Sequence, residues 1–487
     1  MSGVPAKGGG FEGENLSPID HAPSHILTLR VELQNRPGTF ARLATEIAHL
    51  GGNLGAVEII SVDGRRIVRD LEVFAGNEEH GNRIVDAVRK LEDIHLINVS
   101  DQIFHMHLGG KIRVQSKFAI TDRTILSQVY TPGVARVARA IAKDPQKVQT
   151  LTIKRNTVAI VTDGTAVLGM GNFGAYAAIP VMEGKAMLFK EFADIDAFPI
   201  CLDTTDPEKI IETCRIIAPV FGGINLEDIA APRCFEVEER LRRELDIPVF
   251  HDDQHGTAIV VLAAALNALK IVRKKMYAAK ILIAGAGAAG TAVVRMLRSA
   301  GARDILCCDR RGVLGPHRLP DLDFHKSWLA RHTNPSKIRG SLEDAARGAD
   351  LFIGLSGPGT FPLRALKRMA KDPIVFALAN PVPEILPEEA EPYARVIATG
   401  RSDYPNQINN VLAFPGVFRG ALDVHAREIT DAMNFAAARA IAGCVSAEEL
   451  SEECIVPSLF NKQVALRVAQ AVGAAARDGG VARKIRS

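Results

Sequence analysis

Residues 280–300 read KILIAGAGAAGTAVVRMLRSA, and this stretch decides the fold of the larger part of the chain. The apolar run 280–284 predicts a buried strand, and Thr291–Ala300 predicts the helix that follows it. Between them stand three glycines in the spacing G-x-G-x-x-G: Gly285, Gly287 and Gly290. The first permits a tight turn, the second lets a pyrophosphate approach the backbone, and the third lets helix pack on strand. The stretch therefore predicts a Rossmann-type dinucleotide-binding domain.

The next predicted strand ends in an acid. Asp304–Cys308 is followed by Asp309, about twenty residues after the last glycine, where an acid binds the adenosine ribose hydroxyls. A carboxylate repels a 2′-phosphate, so Asp309 favours NAD as the cofactor. Arg310 and Arg311 follow directly and offer positive charge to that phosphate, so NADP stays open.

A second match to the glycine spacing lies upstream at Gly169, Gly171 and Gly174. Pro180 and Gly184 are expected to interrupt the helix that a nucleotide site needs after its glycines. We therefore interpret this match as a glycine-rich active-site or packing turn.

Short apolar runs alternate with helical stretches on both sides of the opening motif. Strands are predicted at 157–162 and 374–378 and a helix at 257–272, which is typical of parallel sheets covered on both faces. We expect an α/β protein with a substrate and metal domain over 105–255. The Rossmann-type domain, with C-terminal helices, is expected over 256–487.

Residues 24–104 have a different order of predicted strands and helices. The order strand, helix, strand, strand, helix, strand predicts a ferredoxin-like unit, closed by a strand over His95–Phe104. With Arg36-Pro37-Gly38 and Gly51-Gly52-Asn53 it resembles an ACT domain, which implies pairing with another copy and an amino-acid effector. A spacer used only for dimerisation is the alternative. Residues 1–23 are rich in Gly, Pro, Ser and Asn and are expected to form a disordered tail.

Composition excludes several classes of protein. Lys+Arg number 59 and Asp+Glu 56, for a net charge of +3, and aromatic residues make up 5%, so neither a nucleic-acid nor a membrane partner is expected. The 7 cysteines are scattered, as is typical of reduced thiols. The N-terminal stretch lacks the apolar core of a signal peptide, so we expect a cytoplasmic protein.

Two acidic pairs indicate metal chemistry. Glu227-Asp228 stands beside apolar residues, and Asp252-Asp253 follows an apparent buried strand. Carboxylates without cysteine suit Mg²⁺ or Mn²⁺ with water and substrate oxygens. His251 and His255 have the spacing of a zinc protease helix, but the defining Glu is absent and zinc hydrolysis is not expected.

Several motifs occur together in one order. They are Val129-Tyr130-Thr131-Pro132-Gly133, Thr162-Asp163-Gly164, Glu183-Gly184-Lys185, Asn225-Leu226-Glu227-Asp228, His251–Thr257, Asn380-Pro381 and Asn409-Asn410. Over roughly residues 110–470 the chain resembles the malic enzymes, most closely the short bacterial branch. Ala166 stands where the long branch has an arginine that contacts substrate and cofactor.

The resemblance implies a role for each motif. Lys185 is expected to be the general base, which requires a lowered pKa, and Tyr130 the acid that protonates C3 of enolpyruvate. Asp252 would orient Lys185 or the metal shell, while Glu227, Asp228 and Asp253 hold the metal. Asn380 is assigned to the cofactor, and Asn409 and Asn410 to the substrate.

The resulting hypothesis is oxidative decarboxylation of L-malate, dependent on NAD(P) and on Mg²⁺ or Mn²⁺, in a homo-oligomer (a dimer or larger). One alternative is another metal-dependent decarboxylating 2-hydroxy-acid dehydrogenase. The other is a non-catalytic, ACT-linked metabolite sensor.

Overall fold

The computed structural model describes residues 25–483 and divides between Lys111 and Ile112 into two compact units. The tail expected over 1–23 lies outside the described residues. Each unit is described by itself below.

The first unit has one four-stranded antiparallel sheet, in the order β2-β3-β1-β4. Its elements are β1 (Ile26–Gln34), α1 (Thr39–His49), β2 (Asn53–Asp63), β3 (Arg66–Phe74), α2 (Glu78–Arg89), β4 (Ile94–Asp101) and α3 (Gln102–His107). Buried Leu29, Val31 and Leu33 pack with Leu43 and Ile84 of the two longer helices.

The closing strand of this unit is shorter than the sequence predicts. β4 ends at Asp101, because the Asp101 side chain accepts a hydrogen bond from the backbone N–H of Ile103 at 2.7 Å and caps a helix. The expected strand over His95–Phe104 is therefore wrong in its last three positions.

The second unit begins with a four-stranded parallel sheet in the order β6-β5-β7-β8. Its elements are α4 (Arg123–Val129), α5 (Val134–Lys143), α6 (Val148–Leu151), β5 (Thr157–Thr162), α7 (Gly174–Ala193), β6 (Asp196–Cys201), α8 (Pro207–Ile217), β7 (Gly223–Leu226), α9 (Arg233–Glu244), β8 (Val249–His251) and α10 (Thr257–Ile271). A π-helical turn, Asp252–Gly256, joins β8 to α10.

Helix α7 runs without interruption through Pro180 and Gly184, so the expected break is wrong. Proline has no N–H to donate to the carbonyl of Tyr176, four residues earlier in the helix. Both residues lie on the exposed side of the helix, where water can bind that carbonyl.

The three glycines of the upstream match form a turn through their positive φ values, and a Cβ on any of them would meet nothing within 4 Å. The close packing in this turn lies at its first glycine, Gly164. A Cβ on Gly164 would meet the backbone carbonyl of Gly174 at 2.4 Å.

A six-stranded sheet follows in the order β11-β10-β9-β12-β13-β14, parallel except for β11. Its elements are β9 (Lys280–Ala284), α11 (Ala288–Ser299), β10 (Asp304–Asp309), β11 (Gly312–Val313), α12 (Phe324–His332), α13 (Leu342–Ala345), β12 (Leu351–Gly354), α14 (Leu363–Leu366), β13 (Ile374–Ala377), α15 (Pro387–Ala390) and β14 (Val396–Thr399). This sheet is followed by α16 (Phe414–Asp423), α17 (Asp431–Ala442) and α18 (Gln463–Asp478).

Helix α10 runs through the main core of this unit. Within the described residues, one helical stretch, Asp252–Ile271, is long and apolar enough to cross a membrane, but 72% of its most apolar window is buried in the protein. Packing against neighbouring helices and strands accounts for this apolar character, as expected for a core helix.

Candidate active site

The parallel sheet gathers the acidic residues at one edge. Glu227 and Asp228 follow β7 directly, and Asp252 and Asp253 follow β8, its neighbour in the sheet. Because the carboxyl ends of parallel strands meet at the same edge, residues far apart in sequence converge there.

Lys185 of α7 reaches into this edge and is buried. Its Nζ lies 2.8 Å from Oε1 of Glu227, forms an ion pair with Asp252, and sits 4.2 Å above the centre of the Phe414 ring. The side-chain amide of Asn410 also donates to the Asp252 carboxylate. Lys185 is therefore held from several sides, with Asp252 between it and Asn410.

The charge state of Lys185 depends on these carboxylates. Burial lowers the pKa of its ammonium, but Asp252 and Glu227 outweigh burial, and the pKa is raised in the protein alone. This is opposite to the lowered pKa expected of a base. A cation that engages Glu227 would weaken the attraction that holds the proton on Lys185.

Three carboxylates form a candidate cation site beside the lysine. Ligand oxygens of Glu227, Asp228 and Asp253 lie within 4.8 Å of one another. Burial, together with the neighbouring charges of Asp253 and Glu227, raises the pKa of Asp228 to about 9. The Oδ2 atom of Asp228 is buried without a hydrogen-bond partner. Oxygen donors with uncompensated charge at this spacing fit Mg²⁺ or Mn²⁺.

The backbone at Asp228 is in a strained conformation. Its φ of 53° lies in the left-handed region, which non-glycine residues rarely adopt. The Asp228 N–H donates to Oδ2 of Asp253 at 2.8 Å, and its carbonyl accepts from the N–H of Ala166 at 2.9 Å. These contacts hold the carboxylate at the cluster.

Glu238 is a site residue that sequence reasoning missed. From α9 its buried carboxylate accepts from the side chain of Gln254 at 3.1 Å and from the backbone N–H of His251 at 3.3 Å. Nε2 of His255 lies 2.7 Å from Oε1 of Glu238. Burial raises the pKa of Glu238, but His255 and His251 outweigh it, so the pKa is lowered and the residue stays ionised. Glu238 thus fixes the turn that carries Asp252 and Asp253, and no local sequence signal marks it.

A second missed residue is Arg233, at the start of α9. Its Nη2 lies 3.0 Å from Oδ2 of Asp163 and 3.0 Å from Oγ1 of Thr165. A guanidinium thus reaches the loop in which Ala166 stands. Sequence reasoning could have found Arg233 by looking for another cation to take the place of the arginine that the long branch has at the position of Ala166.

Three predicted site residues lie outside the contacts of the lysine. Tyr130 directly follows α4 with 66% of its surface exposed, and Asn380 is exposed after β13. The side chain of Asn409 caps a short 3₁₀ helix by accepting from the N–H of Val411 at 3.0 Å. Their assigned roles stay predictions.

The glycine loop between β9 and α11 has the geometry of a dinucleotide site. A Cβ on Gly290 would meet the carbonyl oxygen of Gly285 at 1.9 Å, and one on Gly285 the carbonyl oxygen of Leu355 at 2.2 Å. A Cβ on Gly287 would meet nothing within 4 Å. Gly287 precedes α11 without a side-chain cap, so the N–H groups of the first turn are available to a pyrophosphate.

Asp309 ends β10 beside this loop, because the Gly285 N–H donates to the carbonyl of Cys308 at 2.9 Å. Burial raises the pKa of Asp309, but the guanidinium of Arg318 outweighs burial and the pKa is lowered. Asp309 is therefore ionised, as a ribose-binding acid must be.

Fold and site together define a dinucleotide-dependent enzyme that holds a buried lysine beside an oxygen-rich cation site. The chain matches the family descriptions "Malic enzyme, N-terminal domain" over residues 109–242 and "Malic enzyme, NAD binding domain" over residues 254–477. It belongs to the malic enzyme family.

Individual relatives agree with this assignment. The NAD-dependent malic enzyme of Geobacillus stearothermophilus is 56% identical over 458 residues, which are 94% of this chain and 96% of that protein. The NADP-dependent malic enzyme of Escherichia coli is 45% identical over 77% of this chain and 51% of its own length. The crystal structure of the malic enzyme from Pyrococcus horikoshii has a TM-score of 0.74 at 52% identity, covering 77% of this chain and 89% of that one.

Proposed function

We propose that this protein oxidises and decarboxylates L-malate to pyruvate and CO₂, and reduces NAD(P)⁺ in the same reaction. The observation that carries the proposal is Lys185, buried between Glu227 and Asp252 beside the candidate cation site. The relatives named above, NAD- and NADP-dependent malic enzymes, support the same reaction.

Lys185 is the proton acceptor for the C2 hydroxyl of malate. Glu227 and Asp252 hold its Nζ in place, and Asn410 fixes Asp252 in turn. When bound, a divalent cation would polarise the C2 oxygen and stabilise the enolate, and the nicotinamide would accept the hydride from C2. Glu227, Asp228 and Asp253 would hold the cation. Tyr130 is proposed to return a proton to C3.

Metal removal tests this assignment. We expect malate-dependent NAD(P)H formation with Mn²⁺ to stop after chelation with EDTA, and to return when excess Mn²⁺ is added. Turnover that is unchanged in EDTA would contradict the role of the three carboxylates.

The first unit is proposed to be an ACT-like regulatory module that pairs with a second copy and responds to an amino acid. Its strand order and edge strand β2 support this, since β2 exposes Val57, Ile59, Ile60 and Val62. Unsatisfied strand edges with apolar side chains favour pairing. Ile59→Asp should lower the oligomer mass in sedimentation and abolish any amino-acid effect on turnover. If both stay unchanged, pairing through β2 is wrong.

A homo-oligomer is also supported by the second unit. Val114, Phe118 and Ile120 near its start are all more than half exposed, although apolar side chains are usually buried. A cytoplasmic location is proposed because all 7 cysteines of the chain are free thiols. Fluorescence microscopy of a tagged protein would test the location.

A further inference from the structure

A buried carboxylate joins two loops at the carboxyl edge of the six-stranded sheet. Glu384 is 0% exposed and belongs to the loop between β13 and α15. Its Oε1 accepts from the backbone N–H of Ser356, in the loop after β12, at 2.8 Å. Its Oε2 accepts from the N–H of Ala379, directly after β13, at 3.0 Å. One side chain therefore closes its own loop and ties that loop to its neighbour.

The two loops also pair through their backbones. The N–H of Phe361 donates to the carbonyl of Glu384 at 3.0 Å, and the N–H of Gly359 donates to the carbonyl of Pro383 at 3.1 Å. The carboxylate lies against the end of β12, since a Cβ on Gly354 would meet its carboxyl carbon at 2.4 Å. The position of the carboxylate is thus fixed from both strands.

Stability alone does not account for a carboxylate at this place. Burial raises the pKa of Glu384, and its hydrogen bonds to Ser356 and Ala379 offset only part of that effect. These donors carry no charge, and burying an ionised carboxylate among uncharged groups lowers the stability of a fold. Local conflicts of this kind are typical of functional sites.

The two loops border the dinucleotide site. Strand β12 lies beside β9, and a Cβ on Gly285 of the glycine loop would meet the carbonyl oxygen of Leu355 at 2.2 Å, one residue before Ser356. Strands β10 and β12 flank β9 on opposite sides, and a dinucleotide binds in the crevice where the strand order reverses in this way. Asp309, at the end of β10, marks the adenosine half. The nicotinamide half is therefore expected on the side of β12 and β13.

We propose that Glu384 is a positioning residue for the nicotinamide half of the dinucleotide, because it holds together the two loops that receive that half. Glu384 is fully buried and acts through these loops, not by contact with the cofactor. This inference rests on the proposed function for the presence of a dinucleotide. The competing explanation is a contact that serves folding only, whose loss lowers stability and affects both halves of the nucleotide alike or neither.

Calorimetric titration of the full-length protein separates these explanations without any turnover. The probes are NAD⁺ and ADP-ribose, which lacks only the nicotinamide. Glu384→Gln keeps the shape of the side chain but turns one acceptor oxygen into a donor, so the N–H of Ser356 or of Ala379 loses its partner. We expect the dissociation constant of NAD⁺ to rise about tenfold and that of ADP-ribose to change about twofold or less.

The fluorescence of NADH gives a second readout, because its emission depends on the surroundings of the nicotinamide ring. The change in emission on binding should shrink in Glu384→Gln. Glu389→Gln is the matched control, since Glu389 is an exposed carboxylate on α15, and it should behave like the unaltered protein.

Ser356→Ala keeps the test decisive if Glu384→Gln does not fold. It keeps the backbone N–H but removes the hydroxyl that donates to Oε1 of Glu384 at 3.3 Å. It should weaken NAD⁺ about threefold and leave ADP-ribose unchanged. In Glu384→Gln, or in Ser356→Ala if the former does not fold, equal changes for both probes or no change for NAD⁺ would overturn the proposal. Absence of malate turnover in a protein that binds NAD⁺ would contradict the proposed function and leave this comparison unaffected.

Discussion

The two functional regions of the second unit both lie at the carboxyl ends of parallel strands, but they are formed by different kinds of residue. At the ends of β7 and β8 the chain buries Lys185 among carboxylates, with Glu227 and Asp252 in direct contact. At the end of β9 the chain has glycines, which carry no side chain, and Gly287 leaves the backbone accessible to a ligand. The first region depends on its charged side chains, and the second depends on the space that the missing side chains leave beside the backbone. Substitutions that change charge and substitutions that add volume should therefore affect the two regions differently.

The largest effect is expected for Lys185→Ala. Loss of the proton acceptor should reduce kcat about 10²- to 10⁴-fold, the usual contribution of general acid–base catalysis, without changing NAD⁺ affinity. Steady-state kinetics and nucleotide titration check both parts. Lys190→Ala, an exposed lysine on the same helix, is the control. Near-normal turnover of Lys185→Ala would refute the assignment.

The cation site predicts a dependence of stability on pH. The pKa of Asp228 is about 9 in the folded protein, against the ordinary value of 3.8 for an aspartate in the unfolded chain. Between these two pH values the folded state therefore holds a proton that the unfolded state has released. The free energy of unfolding of the metal-free protein should fall as pH rises from the lower value toward 9. Urea unfolding with EDTA at increasing pH measures this.

Mn²⁺ should reverse that trend, because it binds the ionised carboxylates. At a concentration of about 100 times its dissociation constant it should add about 2.7 kcal/mol to the free energy of unfolding. Equal destabilisation with and without Mn²⁺ at high pH would count against a cation at Asp228.

The glycine loop should separate folding from binding. Gly290→Ala places a Cβ 1.9 Å from the Gly285 carbonyl and should cost about 1–3 kcal/mol of stability by overpacking. Gly287→Ala meets nothing within 4 Å in the protein alone, so thermal unfolding should be unchanged while NAD⁺ affinity falls. A stable Gly290→Ala protein with full affinity would contradict the close helix–strand packing.

The smallest effect concerns the support of the carboxylates. Glu238→Gln keeps an acceptor for His255 but loses the charge, and should weaken Mn²⁺ binding about tenfold, the lower end for residues that orient metal ligands. NAD⁺ affinity should stay unchanged. Mn²⁺ titration by electron paramagnetic resonance measures the effect, and the exposed neighbour Glu239→Gln is the control. Equal Mn²⁺ affinity in both variants would assign Glu238 to folding alone.

The sequence predicts those features whose structure depends on a short local pattern of residues. The glycine spacing at 285–290 and the acids at the ends of β7 and β8 depend on local backbone geometry and strand position. Helix α7 was misjudged at Pro180, because the cost of a proline depends on which face of the helix meets water.

Long-range pairs escaped sequence reasoning altogether. Glu238 supports a turn more than ten residues away, and Arg318 reaches back across β11 to Asp309. Neither residue stands in a motif, so only the fold reveals its partner. Tyr130, exposed in this chain, is placed in the site by resemblance alone.

The central claim is that the lysine–carboxylate centre and the dinucleotide loop act in one reaction on malate. The most direct measurement follows pyruvate and NAD(P)H together when the protein is given L-malate, Mn²⁺ and either nucleotide. We expect the two products to form in equal amounts. Formation of NAD(P)H with oxaloacetate in place of pyruvate, or formation of neither product, would contradict it.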